Sequence, residues 1–223
     1  MVEALRSGRR RAREVLASVE SEEVERAAED AGVKLVSVSR KRIEEIVGEG
    51  THQGVAARVE PYPYSGLDEL LGVPEPLILV LDGVEDPRNL GGILRAADGA
   101  GATGVVVPKD RAAGVTPAAV KASAGASEHV RVARETNLRR ALDRMKKAGV
   151  WAYAAETGGS EPGDVDLTGP AALVLGSEGG GIRRLVREGC DGTISIPMRG
   201  AVSSLNVSVA AAVLLYEALR QRG

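Results

Sequence analysis

Five consecutive apolar residues, Leu77-Ile78-Leu79-Val80-Leu81, leave the chain around them few options. A run of this kind, with no polar alternation, suits a strand buried on both faces, which in turn demands helices above and below a sheet. The rest of the chain keeps to that demand. Beyond Pro76 the patterns predict strands at 104–107, 130–132, 150–155, 171–175 and 193–196. Between them they predict helices at 89–100, 116–124, 137–148, 182–188 and 204–220, with Thr136 as N-cap and Gly149 as stop of the third. Alternation of this type means an α/β fold with a parallel sheet covered on both sides.

Ahead of this lies a smaller α/β unit. A helix opens at Val2, a second spans 22–31 and closes at Gly32, and a period-two strand follows at 33–38. A third helix at 40–47 ends before Gly48, and 53–59 reads as another strand. Pro61 and Pro63 then interrupt regular structure. The expected organisation is therefore a domain over 1–60, a linker over 61–75 and a larger domain over 76–223. With aromatics at 2% and no Phe, both cores must be built from Val, Leu, Ile and Ala.

Several function classes drop out on composition. No apolar run approaches the roughly 20 residues of a membrane helix. The basic N-terminus has no apolar signal core, so a cytoplasmic protein is expected. Cys190 is alone, which excludes an intramolecular disulfide, and the isolated His52 and His129 give no metal-ligand spacing, so no metal is expected. The net charge of -2 hides a local excess, because residues 6–13 carry five arginines and no acid. Such a run is either a solvated face or a phosphate-contacting patch centred on Arg9, Arg10 and Arg11.

Three polar clusters remain. One is Asp86-Pro87-Arg88-Asn89-Leu90-Gly91-Gly92-Ile93-Leu94-Arg95. The second is Gly176-Ser177-Glu178-Gly179-Gly180-Gly181. The third joins Ile196-Pro197-Met198-Arg199-Gly200 to Ser203-Ser204-Leu205-Asn206-Val207-Ser208. Each follows a predicted strand, and open parallel sheets bind ligands beyond the carboxyl ends of their strands. Glycines let main-chain groups approach a ligand, and the following helix dipoles point at the same region, so a nucleotide-like cofactor is implied. The spacing is not G-x-G-x-x-G, and Glu178 would repel a pyrophosphate. G-K-[ST] and G-x-S-x-G are both absent, which removes P-loop and nucleophile-elbow chemistry.

In order and separation, the three clusters resemble the motifs of the SpoU (TrmH) family of RNA ribose 2′-O-methyltransferases, over about residues 76–223. Glu3-Ala4-Leu5-Arg6-Ser7-Gly8 and His52-Gln53-Gly54-Val55 resemble the L30e-like substrate-binding domain of the subgroup that acts on a guanosine of 23S rRNA. The resemblance implies a SPOUT-type domain with a C-terminal trefoil knot, working as a homodimer through its last helix. It implies S-adenosylmethionine held through the main chain of Gly176, Ile196 and Leu205, and RNA as partner. It assigns catalytic roles to Asn89, Arg95, Glu178, Ser204 and Asn206, and places Lys121 near an RNA phosphate. Arg95 is the family's key position. As a literal general base it would have to be neutral, which from a pKa of about 13.8 costs roughly 9 kcal/mol at pH 7. A charged Arg95 stabilising the developing alkoxide asks less of the site. Glu178 then either counters the sulfonium, pairs with Arg95, or is simply an acid at a helix N-terminus.

Two other functions fit the same motifs: methylation of a 23S rRNA adenosine, as in thiazole-peptide resistance, and non-catalytic rRNA binding during ribosome assembly. Family members carry a strand before the segment matching Glu3-Ala4-Leu5-Arg6, so a truncated start is also expected.

Overall fold

The structure is a computed structural model that describes residues 1–48 and 52–223. It divides into two compact units, Met1–Pro63 and Tyr64–Gly223.

The first unit contains α1 (Val2–Ser7), β1 (Ala12–Ala17), α2 (Glu22–Asp30), β2 (Leu35–Ser37), α3 (Arg40–Val47) and β3 (Val55–Val59). β1 is the middle strand, parallel to β2 and antiparallel to β3. Leu5, Val15, Val24, Ala27 and Ala28 form the core. The helix and strand positions follow the pattern reading, except that β1 has no counterpart in it. That strand starts inside the arginine run and turns apolar only at Val15, so charge masks its period. The run itself is broken up by the fold. Arg6 bonds Glu3 and Glu23 at 3.1 and 3.0 Å, and Arg13 pairs with Glu60 at 2.7 Å. Arg9 and Arg10 lie over the buried Tyr62 ring, 5.1 and 6.0 Å from its centroid. Residues 6–13 are thus not one uniform face.

The second unit runs α4 (Leu67–Leu71), β4 (Leu77–Asp82), α5 (Pro87–Gly99), β5 (Gly104–Pro108), α6 (Pro117–Ala122), β6 (Arg131–Glu135) and α7 (Leu138–Lys147). It continues through β7 (Trp151–Ser160), β8 (Ala171–Gly176), α8 (Arg184–Arg187), β9 (Gly192–Ile194) and α9 (Val207–Arg222). Six strands form one sheet in the order β6-β5-β4-β8-β7-β9, and every neighbouring pair is parallel. β4 is buried along its whole length, as its uninterrupted apolar run requires. Among the described residues no helix is long and apolar enough to cross a membrane.

Element ends differ from expectation for identifiable reasons. The N-cap of α7 is Asn137, whose side chain accepts from Arg140 N at 3.0 Å, and not Thr136. The helix phase is set by the buried Leu138, Ala141, Leu142 and Met145. α8 is a single turn rather than a helix over 182–188, because Arg183 N is held at 2.8 Å by Asp82 Oδ2 and Arg183 stays extended. α9 starts at Val207 rather than Ser204, with Asn206 as cap. α4 lies in the stretch read as a linker. It is one turn long, capped by Glu69 accepting from Gly66 N at 2.7 Å, and it buries Leu67 and Leu70. The far end of α9 is clamped by Arg222, which donates to the carbonyls of Leu167 and Glu75, each at 2.8 Å.

Candidate functional site

β4 and β8 are adjacent and in register, Asp82 opposite Gly176, so the segments leaving them start side by side. After β4, residues 83–86 lead into α5, whose first turn is fixed by Asp86 accepting from Arg88 N at 2.7 Å, with Pro87 at its start. After β8 the chain makes a tight turn in which Ser177 and Gly181 exchange main-chain hydrogen bonds at 3.2 and 3.0 Å. A Cβ at Gly176 would sit 2.1 Å from the carbonyl carbon of Gly181, so only glycine closes this turn. The third segment returns from β9 through 195–205 to the Asn206 cap.

At this junction the side chains meet. Glu178 Oε1 accepts from Asn206 Nδ2 at 2.6 Å and from Asn89 Nδ2 at 3.1 Å. Asn206 Nδ2 also donates to Asn89 Oδ1 at 2.9 Å. The orientation of the Asn206 amide is determined at its other end. Its Oδ1 accepts from Ser208 N at 2.9 Å and Ser208 Oγ at 2.6 Å, so its nitrogen must face the other two groups. The polar groups of three distant segments therefore form one network, open to solvent and ready to orient a hydroxyl. α5 is pressed against both neighbours to make this possible. A Cβ on Gly91 would come within 2.4 Å of the Ala122 Cβ, and one on Gly92 within 3.0 Å of the Ser208 Cβ.

A cavity of about 480 Å³ opens beside the network, lined among others by Asp82, Asp86, Asn89, Arg111, Glu178 and Arg183. Its floor holds a charge pair that the sequence does not reveal. Asp82 is 1% exposed and accepts from Arg183 N at 2.8 Å and Arg183 Nε at 2.7 Å. A larger recess of about 930 Å³ belongs to the first unit, where Arg10, Arg11 and Arg13 stand near Asp30 and Glu60.

Of the catalytic candidates, Asn89, Glu178 and Asn206 are brought together, while Arg95 and Ser204 are exposed and outside the network. Arg95 lies on α5 between Gly92 and Gly99, positions that face Ser208 and Tyr216 of α9. Glu178 makes no ion pair with Arg95 among the described residues; its Oε1 accepts from the two amides instead. Nor is it an acid in a helix N-terminus, since α8 starts only at Arg184. Gly176 forms the base of the turn, Ile196 is half-buried and Leu205 is 36% exposed. Lys121 stands exposed in the last turn of α6, and Arg11 is exposed between α1 and β1. Cys190 is no nucleophile, as burial and the nearby Asp191 push its thiol up to about 12. Sequence reasoning missed Asp82, Arg183 and Ser208. Ser208 stood there only as the last residue of the third polar cluster, beside the Asn206 cap.

The model of the SpoU rRNA Methylase family matches residues 76–216, and the model described as RNA 2′-O ribose methyltransferase substrate binding matches residues 2–65. A Bacillus subtilis protein named as a TrmH family tRNA/rRNA methyltransferase, YacO, is 46% identical over 209 residues, covering 91% of this chain and 84% of its own. The 23S rRNA (guanosine-2′-O-)-methyltransferase RlmB of Ralstonia nicotianae is 49% identical over 201 residues, covering 88% and 81%. Among solved structures, the SpoU methyltransferase AviRb of Streptomyces viridochromogenes, in complex with AdoMet, superposes with a TM-score of 0.85 at 30% identity, covering 99% of this chain and 86% of that one.

Proposed function

The chain belongs to the SpoU rRNA methylase family, and from that premise we propose that it methylates the 2′-hydroxyl of a ribose in RNA, a guanosine of 23S rRNA, using S-adenosylmethionine. The observation that carries this reading is the Asn89–Glu178–Asn206 network, assembled beyond the carboxyl ends of parallel strands. The residues present suit the cofactor. Among the described residues, no main-chain group from Ile196 to Leu205 is hydrogen-bonded to another main-chain group. These donors and acceptors, beside the glycine-rich turn at Gly176, are what main-chain recognition needs. Gly176, Ile196 and Leu205 would hold the molecule, with the Glu178 carboxylate near its positive charge. When bound, it supplies a methyl group on a sulfonium.

The chain's own residues do the rest. The Asn89 and Asn206 amides position the ribose, and a charged Arg95 stabilises the oxygen as it loses its proton. The first unit binds RNA through Arg9, Arg10 and Arg11, a role supported by its match to a substrate-binding model. Stacked on Tyr62, Arg9 and Arg10 present preorganised guanidinium groups. A trefoil knot is supported by the path after β9. That strand pairs with β7 at the sheet edge, yet α9 packs on α5 and β8, so the chain must cross back. A ribosomal RNA substrate supports a cytoplasmic location.

A homodimer accounts for the outer face of α9, where Val209, Val213 and Tyr216 are 47%, 41% and 53% exposed on one stripe. Val209→Glu with Val213→Glu is expected to halve the mass seen by light scattering and to abolish methyl transfer. A wild-type chain that already runs as a monomer removes the dimer. The function itself is tested by tritium transfer from labelled S-adenosylmethionine to unmodified rRNA, followed by mapping of the labelled nucleotide. Label on a guanosine 2′-oxygen is the expected result. Label on an adenosine moves the target, and no label at all leaves a binding protein.

A further inference from the structure

Building on the RNA methyl-transfer reading, we infer that Arg111 is a phosphate-binding residue of the active-site cavity, gripping the RNA phosphodiester next to the methylated ribose. Arg111 lies between β5 and α6 with a backbone φ of +54°, a left-handed conformation that an L side chain strains to adopt and glycine takes freely. Slack in the loop is not the reason. Lys109 N donates to the Glu135 carbonyl at 3.0 Å on one side of it. On the other side Ala113 N donates to the Val84 carbonyl at 2.8 Å, and Val115 N to the Tyr64 hydroxyl at 2.9 Å. The loop is therefore stitched to its surroundings before and after the strained residue, and strain held in this way marks functional positions.

Arg111 lines the cavity that also contains Asn89 and Glu178. Asp82, Glu85, Asp86 and Glu178 line the same cavity, and its other cation, Arg183, is bound to Asp82. Arg111 makes no hydrogen bond or ion pair among the described residues, even though Glu85 and Asp86 share its recess. Arg95 lines no part of that recess. An RNA strand approaching those carboxylates is repelled, and the uncommitted guanidinium of Arg111 is the group placed to offset this with a forked pair of hydrogen bonds to phosphate. A glycine would suit the backbone better, so the arginine stands there for its side chain.

The full chain with Arg111→Gly and with Arg111→Lys is compared with wild type. Binding to an unmodified 23S rRNA transcript is measured over a range of salt, alongside S-adenosylmethionine binding by calorimetry and thermal melting. Arg111→Gly is expected to melt no lower than wild type and to bind S-adenosylmethionine equally well. Its RNA affinity is expected to fall about tenfold, with the log–log salt slope shallower by about one. Arg111→Lys is expected to recover the slope. An unchanged slope in Arg111→Gly, a parallel loss of cofactor affinity, or a lysine no better than glycine overturns the assignment. A wild-type chain that methylates no transcript overturns the enzyme reading instead. An active wild type with an indifferent Arg111→Gly overturns only the role of Arg111.

Discussion

Arg95→Ala is expected to slow methyl transfer by about a hundredfold or more, with cofactor affinity and melting temperature unchanged. The structure makes this substitution unusually clean. Arg95 is exposed, its side chain makes no hydrogen bond or ion pair among the described residues, and it stands outside the amide–carboxylate network. Removing such a side chain changes stability by no more than about 0.5 kcal/mol. Its effect must then fall on the chemistry. A ribose hydroxyl is a poor nucleophile until its proton leaves, and charge on the oxygen grows as it does. A guanidinium that keeps its own proton stabilises that charge, whereas one acting as base first pays roughly 9 kcal/mol to become neutral. Single-turnover rates together with calorimetry check the split. A rate within tenfold of wild type excludes Arg95 from the reaction.

The second large effect concerns stability, and it is unequal between two partners. Arg183→Ala should destabilise the chain by about 3 kcal/mol, because it strands a buried carboxylate. The Asp82 side chain is fully shielded, while that of Arg183 is 58% exposed. Without the guanidinium, Asp82 keeps only the main-chain N–H of residue 183. Asp82→Asn is milder, about 1 kcal/mol, since the amide oxygen still accepts that N–H and the freed guanidinium turns to water. For a chain of this size the first change corresponds to roughly 6–12 °C in melting temperature. Melting curves of the two variants decide it, and equal losses would contradict the asymmetry.

The layout of the larger unit was legible because a parallel sheet announces itself. Its strands are buried on both faces, so Leu77–Leu81 and Leu173–Leu175 stand out as unbroken apolar runs. The residue types of the site were legible too, since clusters such as Gly176–Gly181 interrupt apolar segments. Their meeting was not contained in any pattern. Asn206 and Asn89 are 117 positions apart in the chain, and only the packing of α9 on α5 brings their segments together, as the pairing of β4 with β8 does for Asn89 and Glu178. The Asp82–Arg183 pair stayed hidden because a buried charge looks like any other acid at a strand end. β1 was masked by arginines, and the backbone conformation of Arg111 leaves no compositional trace. Of the three alternatives for Glu178, the ion pair with Arg95 and the helix N-terminus are not found, because the carboxylate lies in a turn before α8 and meets two amides.

The close approach of α5 to its neighbours has a consequence for how the site meets RNA. Where Gly91 and Gly92 touch Ala122 and Ser208, only small side chains lie between the helices, so their spacing is set almost entirely by the backbone. One methyl group on Gly92 would act as a wedge in the α5–α9 seam and push Asn89 away from Asn206. The distance between these two amides is thus set when the chain folds, and an incoming nucleotide must do the adjusting.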